Sequence, residues 1–251
     1  MIARLGFIFI ALLSGLALRP VLALEEGHVR FLFRTYPLFS DAILEDLHYQ
    51  TKPGEFAPLK FRRLQRSIED FTYQGPPTLT FFSPDPSLEA GYAPVAEIDI
   101  PSETGPFLIF VLPTYGSENP DTEKLQLAII NDSFDRIPDN TVSFLNFTNA
   151  PLVGILDVVE LDLGPGLSGP FSLHDQLGKP VIVGLAVRRG DSFRKVLQNR
   201  WTFRSGERNL VVLAPPRRSG SFRIQAFHLI DSQERAVLDT PPVEEPSASS
   251  D

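Results

Sequence analysis

The residues that could do chemistry are few and widely spaced. His28, His48, His174 and His228 are the whole stock of imidazole, and no two stand within five positions of each other. That spacing holds no HExxH and no paired-histidine metal signature, so each is expected to sit in a strand rather than on a metal. Cysteine is absent, which removes thiol nucleophiles, thiolate ligands and disulfides together. The carboxylate pairs Glu25-Glu26, Glu45-Asp46 and Glu69-Asp70 are immediate neighbours. On a strand such neighbours face opposite ways, a poor arrangement for shared acid–base work.

Hydroxyl nucleophiles fare no better. Gly166-Leu167-Ser168-Gly169-Pro170 approaches a nucleophile elbow but has proline where the second glycine belongs. Gly190-Asp191-Ser192 resembles the Gly-Asp-Ser block of a hydrolase family, but that block follows a buried first strand of an α/β fold. Here it lies past the middle of a strand-rich chain and reads as a hairpin tip. The Asp132–Asn140 stretch gathers oxygen ligands without the glycine and terminal glutamate of a calcium loop. Its acids are expected to be turn residues, and no metal or other cofactor is expected.

What remains is arginine and a single tryptophan. From Arg188 to Arg235 there are eleven Lys/Arg against four acids, whereas residues 24–187 hold ten against twenty-three. Guanidinium groups suit bidentate carboxylate or phosphate recognition. At strand period, Arg188 shares a face with Arg194, and Arg200 with Arg204 and Arg208, provided no bulge intervenes. Arg188, Arg194 and Arg200 are therefore candidate binding residues for an acidic protein or envelope polymer; a solvated basic face is the plainer alternative. Trp201 is the fourth candidate. With Asn199 and Phe203 it shares a face, either buried in a sandwich or, beside an exposed tyrosine such as Tyr36, Tyr73, Tyr92 or Tyr115, stacking on a sugar ring. The whole chain carries a formal charge of −8, which argues against general nucleic-acid binding.

The elements that must position these groups are strands. Short runs rich in Val, Ile, Leu and Phe recur between turn clusters such as Gly75-Pro76-Pro77, Ser83-Pro84-Asp85-Pro86 and Gly164-Pro165-Gly166. Helix signals are confined to Asp41–Leu47, with Ser40 as cap, and Arg62–Asp70. The pattern predicts an all-β chain of immunoglobulin-like antiparallel β-sandwich type. It resembles immunoglobulin-like or fibronectin-like envelope domains in this general grammar alone. An internal echo relates Thr78–Phe82 to Thr141–Leu145, Ala93–Ala96 to Ala150–Val153, and Glu97–Ile100 to Glu160–Leu163. Read as duplication it gives two tandem sandwiches, 24–135 and 136–235; read as shared strand vocabulary it leaves one large sandwich.

The ends supply an address. Residues 1–23 combine Arg4, an apolar run from Leu5 to Leu18, and Val21-Leu22-Ala23 before Leu24, the grammar of a cleaved secretory signal. Its removal takes away Arg4 and Arg19 and no acid, so 21 basic residues face 31 acidic ones in the mature chain. Residues 239–251 are nearly devoid of apolar side chains, and 236–251 read as a disordered tail. The expectation is an exported periplasmic or extracellular protein with no membrane span in its mature chain. It would serve as a non-enzymatic binding or assembly component of a bacterial envelope. A carbohydrate-binding module and a hydrolase with a spatially assembled acid–base site are the alternatives.

Overall fold

The computed structural model describes residues 27–39, 44–112, 125–218 and 220–232; the expected signal segment and tail lie outside them. The described chain is all-β. Its first half comprises β1 (Val29–Pro37), β2 (His48–Lys52), β3 (Glu55–Pro58), β4 (Phe71–Gly75), β5 (Thr78–Pro84), β6 (Tyr92–Asp99), β7 (Phe107–Leu112) and β8 (Gln126–Asn131). Its second half comprises β9 (Thr141–Asn146), β10 (Leu152–Leu156), β11 (Val159–Leu163), β12 (Gly166–Ser172), β13 (Pro180–Arg189), β14 (Ser192–Thr202), β15 (Glu207–Ala214) and β16 (Gln225–Ser232).

These strands form four sheets of four. The first half gives β4-β1-β7-β8 and β3-β2-β5-β6; the second gives β12-β9-β15-β16 and β11-β10-β13-β14. Adding eight to every strand number of the first half reproduces the second. The shared order includes a parallel pair, β1 with β7 and β9 with β15, so the sheets are not wholly antiparallel as expected. The order also differs from the A-B-E-D and C-F-G sheets of an immunoglobulin constant domain. The duplication is one of topology and not of the echo in sequence. Thr78–Phe82 lies in β5, whose counterpart is β13, whereas Thr141–Leu145 lies in β9, whose counterpart is β1.

Side-chain alternation explains the layering. Phe107, Ile109 and Val111 of β7 enter a core shared with Phe81 and Leu79 of β5. Leu108, Phe110 and Leu112, pointing the other way, meet Leu210 and Val212 of β15 in a second cluster. Val211 and Leu213 of β15 then enter a third core with Val181, Val183 and Leu185 of β13. A strand buried on both faces reads as an unbroken apolar run, which is why β7 is FLIFVL. The β4-β1-β7-β8 and β12-β9-β15-β16 sheets are thus the inner layers. The other two sheets each turn one face outward.

Local departures from expectation have local causes. Residues 62–70 form no helix but an irregular link with a bridge between Arg62 and Gln65. Of the expected helix at Asp41–Leu47, residues 41–43 lie outside the described residues, and 44–47 form a turn that leads into β2 and no α-helix. Strand β12 hides behind its glycines and proline: it is an edge strand, and its register slips between Ser168 and Phe171, where Gly169-Pro170 cannot complete a ladder.

Candidate functional site

The hairpin β13–β14 builds the basic region. Arg189 pairs with Ser192 across a two-residue turn opened by Gly190, whose φ of +57° a residue without a side chain adopts freely. The Ser192 hydroxyl donates to the Arg189 carbonyl, so Gly190-Asp191-Ser192 is a turn. Inward-facing Val181, Val183 and Leu185 fix the parity of β13, which leaves Ile182, Gly184, Ala186 and Arg188 facing out.

Strand β14 does not keep a single parity. Leu185 pairs with Leu197, but Ala186 pairs with Lys195, so Val196 is the extra residue of a bulge. Beyond it the faces exchange. Arg200, opposite Ile182, shares the outer face with Arg188; Arg194, opposite Val187, is turned to the other side. The three candidate arginines therefore do not form one face. Arg194 stacks on the Phe222 ring, which Arg189 also approaches, while Arg188 lies over Phe193. Arg204 lies beyond β14. Arg208 sits in β15 of the neighbouring sheet, buried.

A groove of about 650 Å³ runs beside β14. Lys195, Asn199 and Arg200 of β14, Ile182 of β13, and Arg223 with Ile224 from the segment before β16 line it. β14 is the edge of its sheet, so every second residue turns its N–H and C=O away from β13. The Val196 carbonyl accepts the Ile224 N–H; the strand beyond it borders the groove. Neither Arg200 nor Arg223 has an ion-pair partner among the described residues. Lys195 and Arg223 escaped the sequence reading, although Arg223 stands beside Phe222 in the same basic block.

Trp201 packs at the margin of the core, its ring 5.3 Å from His228 and 6.4 Å from Phe203. His228 shares a hydrogen bond with Asn209 Oδ1 at 2.9 Å, and burial pushes its pKa down to about 4. His48 instead lies against Tyr92 on the far sheet, and His174 follows β12. Tyr36 and Tyr73 are buried, and Tyr115 lies outside the described residues.

The densest cluster of charge lies elsewhere, at the end of the layer between the halves. Arg66 Nη2 donates to Asp132 Oδ1 at 3.0 Å, and Arg208 Nη2 to Asp231 Oδ2 at 2.9 Å. Burial alone would raise the Asp231 pKa, but Arg66 and Arg208 outweigh it and hold the carboxyl below its ordinary range. A cavity of about 430 Å³ opens beside the cluster, lined by Arg34, Arg62, Arg66 and Asp231 among others. The buried charges here are met by one another: Asp132 serves both Arg66 and Arg208, and Arg34 pairs with Asp70, although Arg62 at the cavity has no ion pair among the described residues. This cluster joins the two halves, whereas the groove beside β14 presents unpaired cations to solvent. Neither a protein-family model nor a curated protein sequence matches this chain.

Proposed function

We propose that this chain is an exported, non-enzymatic binding or assembly component of the bacterial cell envelope, which recognises an acidic partner through the basic side of its second half. The observation that carries the reading is the groove beside β14, where Arg200 and Arg223 flank a free strand edge without a carboxylate of their own. A free edge offers backbone donors and acceptors to an extended segment, and the guanidinium groups that line the groove select for carboxylates. The cell-envelope address comes from the signal-like residues 1–23 and the absence of cysteine. Trp201 gives the carbohydrate alternative less support, since its ring packs against His228 and Phe203.

Titration with poly-L-glutamate, an acidic polymer of extended backbone, tests the reading. Binding should weaken steeply with salt, because exposed charges are screened over about 10 Å at 0.1 M ionic strength. The double variant Arg200→Glu with Arg223→Glu should weaken it by about tenfold or more and leave Tm unchanged. Absence of binding at low salt, or binding indifferent to the double variant, overturns the proposal.

A further inference from the structure

We propose that the outer face of the β11-β10-β13-β14 sheet is a self-complementary interface whose occupant is a second copy of this chain. The inference rests on the acidic-partner reading and names the partner.

The register of the sheet defines rows of side chains across its outer face. One row runs Asp162, Val153, Ala186, Lys195; the next runs Glu160, Ile155, Gly184, Gln198. In these two rows the β11 edge is acidic, Lys195 makes the β14 edge basic, and the centre is apolar, with the larger side chains on β10 and the smaller on β13. The outer face of β13 continues beyond them with Ile182 and Arg188. Among the described residues neither Glu160 nor Asp162 takes part in an ion pair.

A two-fold axis parallel to the strands, between β10 and β13, sets each row against its own reverse. β11 of one copy then covers β14 of the other, and β10 covers β13. Asp162 meets Lys195 of the second copy, Val153 meets Ala186, and Ile155 meets Gly184. Charge and size are matched by one operation, as an isologous contact requires. An axis perpendicular to the strands would lay β11 on β11 and bring the acids together.

Gly184 strengthens the argument because the fold does not demand a glycine there. Its φ lies outside the left-handed region, and a Cβ would meet only Ile155 Cγ1 at 3.7 Å, an ordinary contact. The bare backbone instead forms a depression on an outward face. Ile155, 45% exposed, is a side chain of the size to fill it from outside. Four strands at about 4.8 Å spacing make a face roughly 19 Å wide. Two such faces would bury on the order of 1,000 Å², the low end for specific interfaces. The expected dimer is therefore weak and salt-sensitive.

Sedimentation velocity on the purified chain, from about 1 to about 200 µM, brackets the affinity of an interface that small. The wild type should dimerise as concentration rises, and less so in high salt. Gly184→Val should remain folded, with Tm unchanged, and weaken dimerisation by about tenfold or more. Asp162→Lys and Lys195→Asp should each do the same, and their combination should restore the dimer. A wild type that stays monomeric, a folded Gly184→Val that still dimerises, or a charge swap that restores nothing overturns the proposal. If the chain stays monomeric yet binds poly-L-glutamate, the dimer is refuted and the acidic-partner reading stands; if it does neither, both fall.

Discussion

Arg208 Nη2 lies 2.9 Å from Asp231 Oδ2 on the adjacent strand, while its Nη1 donates to the Asp132 carbonyl at 2.6 Å. Only 5% of the Arg208 side chain is exposed, and the Phe134 ring lies 4.0 Å from its guanidinium carbon. Removing one member of such a buried group leaves the other charges uncompensated, a loss of about 3–5 kcal/mol. Arg208→Met should therefore lower the urea midpoint strongly. Arg208→Met with Asp231→Leu should recover part of the loss, since it removes both charges of the closest pair. A single variant as stable as the parent would show that the cluster contributes nothing to holding the halves together.

Acid should destabilise the protein in two stages. His228 titrates near 4 in the folded chain and near 6.5 when unfolded. Between those values the unfolded chain binds a proton that the native one refuses, so stability falls as pH drops from about 6.5 to about 4. The full span amounts to about 3 kcal/mol at most. Asp231 acts lower down. Its depressed native pKa adds stability present above the unfolded carboxylate value of about 4 and lost as pH falls through the native value. Denaturant midpoints measured across pH should show both limbs, and His228→Phe should flatten only the upper one.

Much of this architecture is written in single segments, because alternation acts locally. The run Phe107–Leu112 is apolar throughout because its two faces enter two different clusters. The β13–β14 hairpin was legible from Arg189 to Ser192, where turn residues separate two long strand-like runs. Strand β12 was not, because its glycines and proline speak for a turn and only pairing with β9 makes it a strand. Shared parity of Arg188 and Arg194 failed at Val196, since one bulged residue exchanges every face beyond it. The Arg66–Asp132 pair spans 66 positions, and no local pattern announces it. The same holds for the groove, which needs Arg200 and Arg223 brought together by tertiary packing.

The halves should not behave as independent domains. Tyr36 and Phe110 of the first half are buried against Leu210, Val212 and Leu229 of the second. Separate expression of residues 27–135 and 136–232 would bare both sides of that cluster, a contiguous apolar surface of the kind that drives association. Each piece is expected to bind a hydrophobic dye or aggregate, and the whole chain to unfold in one calorimetric transition. Phe110→Ala should cost about 3–5 kcal/mol through the cavity it leaves. Two separate transitions, each reproduced by one isolated half, would show that the shared cluster couples nothing.

Two glycines on neighbouring strands should respond oppositely to a methyl group. Gly154 of β10 pairs with Leu185 and lies tight against the neighbouring β13 backbone. A Cβ there would fall 1.9 Å from the Gly184 carbonyl oxygen and 2.9 Å from Leu185 Cδ2. The nearer atom is backbone, held by the ladder between β10 and β13, so the strands themselves would have to part. At Gly184 the corresponding methyl meets only ordinary contact. Alanine in a strand interior is favoured over glycine by roughly 0.5–1 kcal/mol through lost chain entropy. Gly154→Ala should lose more than about 2 kcal/mol, the scale of an overpacked core site. Gly184→Ala should equal or exceed the parent. Urea midpoints of the two variants make the comparison, and equal stability for both would refute the close strand approach at Gly154.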